Sequence, residues 1–226
     1  MLARIGFIGG TFDPVHYGHL CPAVQAARQL KLDELQFIPC AEPRHRQPAQ
    51  RSFDERLQLL TLALATSDWP DQCHPADLKL SANAIEQQQW QQGIPSYTVE
   101  TLTALRRQWP AATFFWLLGA DAFAHLTHWY QWQKLFDLCH VIVCQRSGYS
   151  LSVPTELLPY RSDDLSCWQR DGQDDWQGRW QEVQVSPRSE SSTVIRQRIA
   201  KGSSIQGMLP ETVREQILLR QFYSSS

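Results

Sequence analysis

Ile5-Gly6-Phe7-Ile8-Gly9-Gly10-Thr11-Phe12-Asp13-Pro14-Val15-His16-Tyr17-Gly18-His19-Leu20 decides how this chain folds. Its first residues are apolar and read as a strand buried on both faces. Two adjacent glycines follow, then a turn-forming Asp-Pro, then two histidines bracketing a third glycine. Helical spacing begins at Leu20. A strand, a tight glycine turn and a helix start are the parts of a phosphate cradle. Each histidine can place a proton or a positive charge near a phosphate oxygen.

Working outward, Ala3 to Ile8 is the first strand. Gly18 to about Leu30 is a helix, with Leu20, Val24, Ala27 and Leu30 at helical spacing. Leu35 to Pro39 is a second strand, so the opening is a βαβ unit with a right-handed crossover. Residues 40–51 form a polar loop carrying Arg44, His45, Arg46 and Arg51. Ser52 and Glu55 make a capping box ahead of the stripe Leu57, Leu60, Leu64, in a helix to about Thr66. Asp77 to Leu80 is a candidate third strand, and the Gln-rich stretch 86–92 reads as a loop. A helix starts at Pro95-Ser96-Tyr97-Thr98 and ends by Pro110. Thr113 to Leu118 is a central strand closed by Gly119-Ala120-Asp121, and a short helix follows. His140 to Cys144 is the next strand.

Residues 151–180 show no clear period and read as a peripheral excursion. Gln181 to Val185 returns to the sheet. Ser191 to Thr193 caps a helix running from Val194 to about Lys201. Pro210, in a first-turn position, opens a last helix to about Phe222. Alternating strands and helices predict one α/β domain over residues 1–226. Its sheet is Rossmann-like, open and mostly parallel, with helices on both faces. Ligands of such sheets bind beyond the carboxyl ends of the strands. That rim receives the loops Gly9–His19, Cys40–Arg46, Gly119–Trp129 and the one from Arg146.

Composition narrows the function. The 226 residues carry 21 Lys and Arg against 23 Asp and Glu, a net charge of −2. A general nucleic-acid partner is therefore not expected. No window reaches the ~20 apolar residues of a membrane span, so no membrane association is expected. No signal-peptide pattern opens the sequence, and a cytoplasmic location is expected. The six cysteines, Cys21, Cys40, Cys73, Cys139, Cys144 and Cys167, form no Cys-x-x-Cys pair and read as reduced thiols.

Gly9 and Gly10 leave room for a phosphate or sugar to approach the backbone. The pattern lacks Gly-x-Gly-x-x-Gly, so the redox dinucleotide fingerprint is absent. It also lacks Gly-Lys-Ser/Thr, so it is not a P-loop. His16 and His19, three apart at a helix start, put both imidazoles on one side. Without a third ligand or a placed Glu they are poor metal ligands, and no protein-held metal is expected.

Gly9-Gly10-Thr11-Phe12-Asp13-Pro14-Val15-His16-Tyr17-Gly18-His19 resembles the His-x-Gly-His signature of the nucleotidyltransferase superfamily. It is similar, more specifically, to bacterial nicotinate mononucleotide adenylyltransferases. Ser191-Ser192-Thr193-Val194-Ile195-Arg196 resembles the family's Ser-Ser/Ala-Thr-x-Ile-Arg element. Pro43-Arg44-His45-Arg46, Ser96-Tyr97-Thr98 with Thr101-Leu102, Gly119-Ala120-Asp121 with Trp129-Tyr130, and Arg146-Ser147-Gly148 resemble its remaining motifs. Glu190 departs from the pattern, standing where an apolar residue usually precedes Ser-Ser-Thr.

The resemblance implies adenylyl transfer from ATP to nicotinate mononucleotide, giving nicotinate adenine dinucleotide and pyrophosphate. It implies that Gly9, Gly10, Thr11, His16, His19, Ser192, Thr193 and Arg196 bind ATP, with His16, His19 and Arg196 serving the chemistry. It implies that His45, Arg46, Thr98, Asp121, Trp129 and Tyr130 bind the mononucleotide. Mg2+ is expected to arrive with ATP, held by phosphate and water. A different small acceptor (nicotinamide mononucleotide, pantetheine phosphate or glycerol phosphate) and a non-catalytic nucleotide-binding regulator stay open. So does a homo-oligomer.

Overall fold

The first strand of the computed structural model, β1 (Arg4–Gly10), feeds α1 (Tyr17–Gln29), and the chain returns as β2 (Glu34–Pro39). The structure describes residues 2–42, 48–146, 150–163 and 177–224. Then come α2 (Phe53–Ala65), β3 (Lys79–Ala82), α3 (Ile85–Gln91) and α4 (Thr98–Gln108). They are followed by β4 (Thr113–Gly119), α5 (Ala120–Phe123), α6 (Leu135–Leu138) and β5 (His140–Arg146). The chain closes with β6 (Trp180–Val185), α7 (Ser192–Ala200) and α8 (Glu211–Leu219).

The six strands lie in the order β3-β2-β1-β4-β5-β6, and every pairing is parallel. The sheet is buried on both faces because its strands alternate core with core. Ile5, Phe7, Phe114, Trp116 and Leu118 face one layer, with Val99, Leu102 and Leu105 of α4 and Phe123 and Phe136 of α5 and α6. Phe37, Phe115, Leu117 and Ile142 face the other, with Leu20 and Val24 of α1, Leu60 of α2, Ile195 of α7 and Val213 and Ile217 of α8. The predicted architecture is therefore present, and among the described residues no helix is long and apolar enough to cross a membrane.

The strand order reverses between β1 and β4, which creates the crevice where such sheets take ligands. Register brings the strand ends level there: Gly10 lies opposite Pro39, and Gly119 opposite Cys144. The amide of Cys40 donates to the carbonyl of Gly10 at 2.8 Å, extending the pairing into the loops.

Three expectations are corrected. The Gln-rich stretch is the helix α3, not a loop. Asn83 accepts from the Ile85 amide, and Gln89 reaches the carbonyl of Glu100, so polar contacts replace an apolar stripe. Pro210 is the cap before α8 instead of its first-turn residue, and α8 ends at Leu219. Cys21 and Cys73 are joined as a disulfide, not reduced, tying α1 to the 3-10 turn at Asp71–Cys73. Cys40, Cys139 and Cys144 are free. Burial pushes the Cys139 and Cys144 thiols up to about 12, which makes them inert core groups. Cys167 lies outside the described residues. The 3-10 turn at Thr155–Tyr160 belongs to the predicted excursion. It seats Leu157 in the core, where its carbonyl accepts from the Trp180 indole at 2.6 Å.

Candidate active site

The loop from Gly9 to His19 joins β1 to α1 across the crevice. Phe12 takes a left-handed conformation with φ 51°, and the Asp13-Pro14 bond is cis. His16 is the residue just before α1 and His19 lies in its first turn. Their rings stand 3.7 Å apart at 30°, so the three-residue spacing does bring the imidazoles together. The edge of His19 meets Phe12 at 5.1 Å. His16 is buried, and its Nδ1 has no hydrogen-bond partner among the described residues. Burial, then the neighbouring His19, lowers its pKa to about 2. Near pH 7 this imidazole is neutral and can donate from one nitrogen only.

The glycines have two kinds of reason. A Cβ on Gly9 would meet the Trp116 ring at 2.9 Å, and one on Gly10 the Phe12 ring at 2.8 Å. The protein's own aromatic rings therefore crowd both glycines. Gly18 is more tightly constrained: a Cβ there would lie 2.5 Å from the carbonyl oxygen of Glu190 and 2.8 Å from His16 Nδ1. The segment leading into α7 crosses directly over the histidine motif.

That crossing joins the two distant motifs. Ser191 caps α7, its hydroxyl accepting from the Val194 amide. Ser192 Oγ donates to the Pro14 carbonyl at 3.0 Å, and Arg196 donates to the Asp13 carbonyl and, at 3.5 Å, to Thr193 Oγ1. Ser192 and Arg196 are thus brought to the histidine loop, with Thr193 beside Arg196. Arg196 and Ser192 also hold that loop's backbone. Glu190 is half-buried and pairs through one carboxylate oxygen with Arg188 at 3.5 Å, so the departure from the family pattern places a paired charge beside the histidine motif.

Asp13, Tyr223 and Arg56 escaped the sequence reading. Asp13 is buried, accepting from the Tyr223 hydroxyl and from the Gln50 amide, both at 2.7 Å. Tyr223 is raised above its ordinary pKa by burial, then by that carboxylate. Arg51 of the polar loop lies 5.0 Å from the Phe222 ring. Arg56, also buried, donates to the carbonyls of Thr11 at 2.6 Å, Cys40 at 2.9 Å and Arg51 at 3.2 Å. It ties the loop after β1 to the loop after β2. A buried arginine in this first helical turn was signalled only by its place four residues before Leu60, on the core stripe.

On the other side of the crevice, Thr98 opens α4 and is half-buried. Tyr97 just before it stacks on Tyr130 at 4.5 Å, which joins the Ser96-Tyr97-Thr98 element to the Trp129-Tyr130 element. Trp129 is half-buried and packs against the α4–α6 core layer, while Tyr130 is exposed. Asp121 is exposed in the first turn of α5, whose cap residue is Gly119. His45 and Arg46, with the rest of 43–47, lie outside the described residues, as do Ser147 to Tyr149. Among the described residues no group of three or more His, Cys, Asp or Glu side chains could hold a metal ion.

Residues 7–198 match the cytidylyltransferase-like family. Over 223 residues the chain is 35% identical to a probable nicotinate-nucleotide adenylyltransferase of Shewanella frigidimarina, spanning 97% of this chain and 99% of the relative. A probable nicotinate-nucleotide adenylyltransferase of Bordetella petrii is also 35% identical over 223 residues, spanning 98% of this chain and 100% of the relative. Among solved structures, Plasmodium falciparum nicotinic acid mononucleotide adenylyltransferase complexed with NaAD superposes with a TM-score of 0.69. That match covers 98% of this chain and 97% of the other at 16% identity, so it speaks to the fold.

Proposed function

We infer the reaction from one premise: the chain belongs to the cytidylyltransferase-like family. It transfers the adenylyl group of ATP to nicotinate mononucleotide, giving nicotinate adenine dinucleotide and pyrophosphate. The observation that carries this reading is the imidazole pair 3.7 Å apart, with the Ser192–Arg196 turn of α7 folded onto the same loop. The full-length likeness to nicotinate-nucleotide adenylyltransferases selects the acceptor.

The mononucleotide phosphate is already an anionic nucleophile. One of its oxygens attacks the α-phosphorus of ATP in line. The bond from that phosphorus to the bridging oxygen breaks, and pyrophosphate leaves with the electron pair. No strong base is needed; the barrier is the approach of two anions and the charge gathered on the leaving group. His16 and His19 donate to phosphate oxygens as that charge grows. A polyphosphate beside the pair favours the protonated His16 ring, against the burial that keeps it neutral. Ser192, Thr193 and Arg196 meet the β- and γ-phosphates from the start of α7, where the helix dipole adds to the field. Mg2+ would arrive with ATP and would supply charge neutralisation on the polyphosphate, with no side chain of this chain required to hold it. The donor set suits that arrangement, since the buried Asp13 carboxylate is already occupied by Tyr223 and Gln50.

His45 and Arg46 bind the acceptor phosphate, Trp129 stacks on the pyridine ring, and Asp121 binds a ribose hydroxyl. Backbone donors near Thr98 and Tyr130 meet the carboxylate and favour acid over amide. Both substrates are charged, water-soluble nucleotides, in keeping with a cytoplasmic enzyme. The test is pyrophosphate release from ATP with nicotinate mononucleotide, its amide, pantetheine phosphate and glycerol phosphate in parallel. The highest kcat/KM is expected for nicotinate mononucleotide. Release with another acceptor alone would remove the assignment, and ATP binding without any release would mark a regulator.

A further inference from the structure

Among the described residues two carboxylates are buried, and the reaction as derived uses neither. Asp13 belongs to the histidine loop. Glu86 is the other, and it stands across the crevice on α3, the helix that the sequence reading took for a loop. One of its oxygens accepts from the Ala41 amide at 3.2 Å, and the other from Thr101 Oγ1 of α4 at 3.1 Å. Ser96 and Cys40 also hydrogen-bond to its carboxyl group. Ser96 Oγ in turn accepts from the Glu42 amide at 3.4 Å. Three segments therefore meet on one side chain: the start of the loop after β2, the turn leading into α4, and α4 itself.

α3 is braced to hold that side chain still. Asn83, whose oxygen accepts from the Ile85 amide, donates to Gln36 of β2 at 2.6 Å. Gln87 donates to Asp54 of α2 at 2.8 Å, and Gln89 to the Glu100 carbonyl of α4 at 3.1 Å. Ile85 is sunk in the core. A buried carboxyl group is costly unless its hydrogen-bonding capacity is met, and here partners from several segments meet it. Burial raises its pKa, while these hydrogen bonds oppose that rise.

We propose that Glu86 is a positioning residue for the acceptor half of the site, holding the Cys40–Glu42 segment against the start of α4. The proposal rests on the reading that these two segments flank the acceptor. Residues 40–42 lead directly to His45 and Arg46, assigned to the acceptor phosphate, and the α4 start carries Thr98. Holding reacting groups to within an ångström is worth large factors in rate, so a clamp at the root of both segments governs acceptor binding without touching it.

The test is steady-state kinetics on the full chain, with acceptor and ATP varied separately and thermal melting recorded for each variant. Glu86→Ala is expected to raise the acceptor KM about tenfold, leaving kcat and the ATP KM within about twofold. Glu86→Gln keeps an acceptor atom for the Ala41 amide and is expected within about threefold of the parent. Thr101→Val removes one contact and is expected to raise the acceptor KM about threefold, which decides the matter should Glu86→Ala fail to fold. An unchanged acceptor KM in both Glu86→Ala and Thr101→Val overturns the proposal, as does equal loss for both substrates. If the parent enzyme releases pyrophosphate only with a different acceptor, the nicotinate reading fails. The same criteria then apply to Glu86 with the KM of the acceptor that turns over.

Discussion

The two sides of the crevice are built differently. On the side proposed for ATP, the histidine loop is buried and pinned from far along the chain: Arg196 and Ser192 on its carbonyls, Tyr223 on Asp13, Arg56 on Thr11. On the side proposed for the acceptor, Tyr97 and Tyr130 stack at the surface, Trp129 is half-buried and Asp121 is exposed. The contrast fits a division of labour. Phosphate chemistry needs donors held rigidly where charge develops, and the buried side provides them. Recognition of one acceptor among several can be left to loops at strand ends, where side chains change without disturbing the sheet.

That contrast can be broken by experiment. His16→Ala and His19→Ala are expected to give the largest effect, lowering kcat by about 10²–10³ with the acceptor Kd little changed. Normal turnover in either variant would remove the histidines from the chemistry. Gly18→Ala comes next: the new carbon has no room between Glu190 and His16, so about 3 kcal/mol of stability should be lost along with activity. Denaturant titration measures it, and a midpoint equal to the parent would show that the crossing is not tight.

Trp129→Ala should raise the mononucleotide KM about tenfold and spare the ATP KM. A drop in melting temperature with both KM values intact would make Trp129 a core residue and blur the contrast. The smallest effect is a pH dependence. His16 and His140 are neutral in the folded protein, with pKa values lowered to about 2 and about 3, mainly by burial. The unfolded chain takes up those protons near pH 6.5 and the folded chain does not, so stability is present above that value and lost below it. Going from pH 7 to 6 should cost roughly 1 kcal/mol in total. His16→Ala should show about half that loss; an unchanged loss would place the titration elsewhere.

Sequence legibility followed the range of the interactions. The turn after β1, the Ser52–Glu55 capping box and the Ser191 cap were readable because each is a local hydrogen-bond pattern. The strands were readable because burial on both faces leaves continuous apolar runs. α3 was not, since its stability comes from Asn83, Glu86 and Gln89 meeting partners elsewhere and not from an apolar period. Arg56, the Cys21–Cys73 link and the Tyr223–Asp13 contact were equally hidden. Each depends on two segments that only the folded chain brings together. On the active-site side, the same rule separates His16 and His19, visible as a pair, from the residues that fix them.

The contact between Tyr223 and Asp13 spans 210 positions. During synthesis the histidine loop emerges early, and of its carboxylate's two partners the Gln50 amide follows soon while the Tyr223 hydroxyl comes only much later. A chain lacking Tyr223 would keep β1 and α1 and lose the hydroxyl that, with the Gln50 amide, holds Asp13 between them.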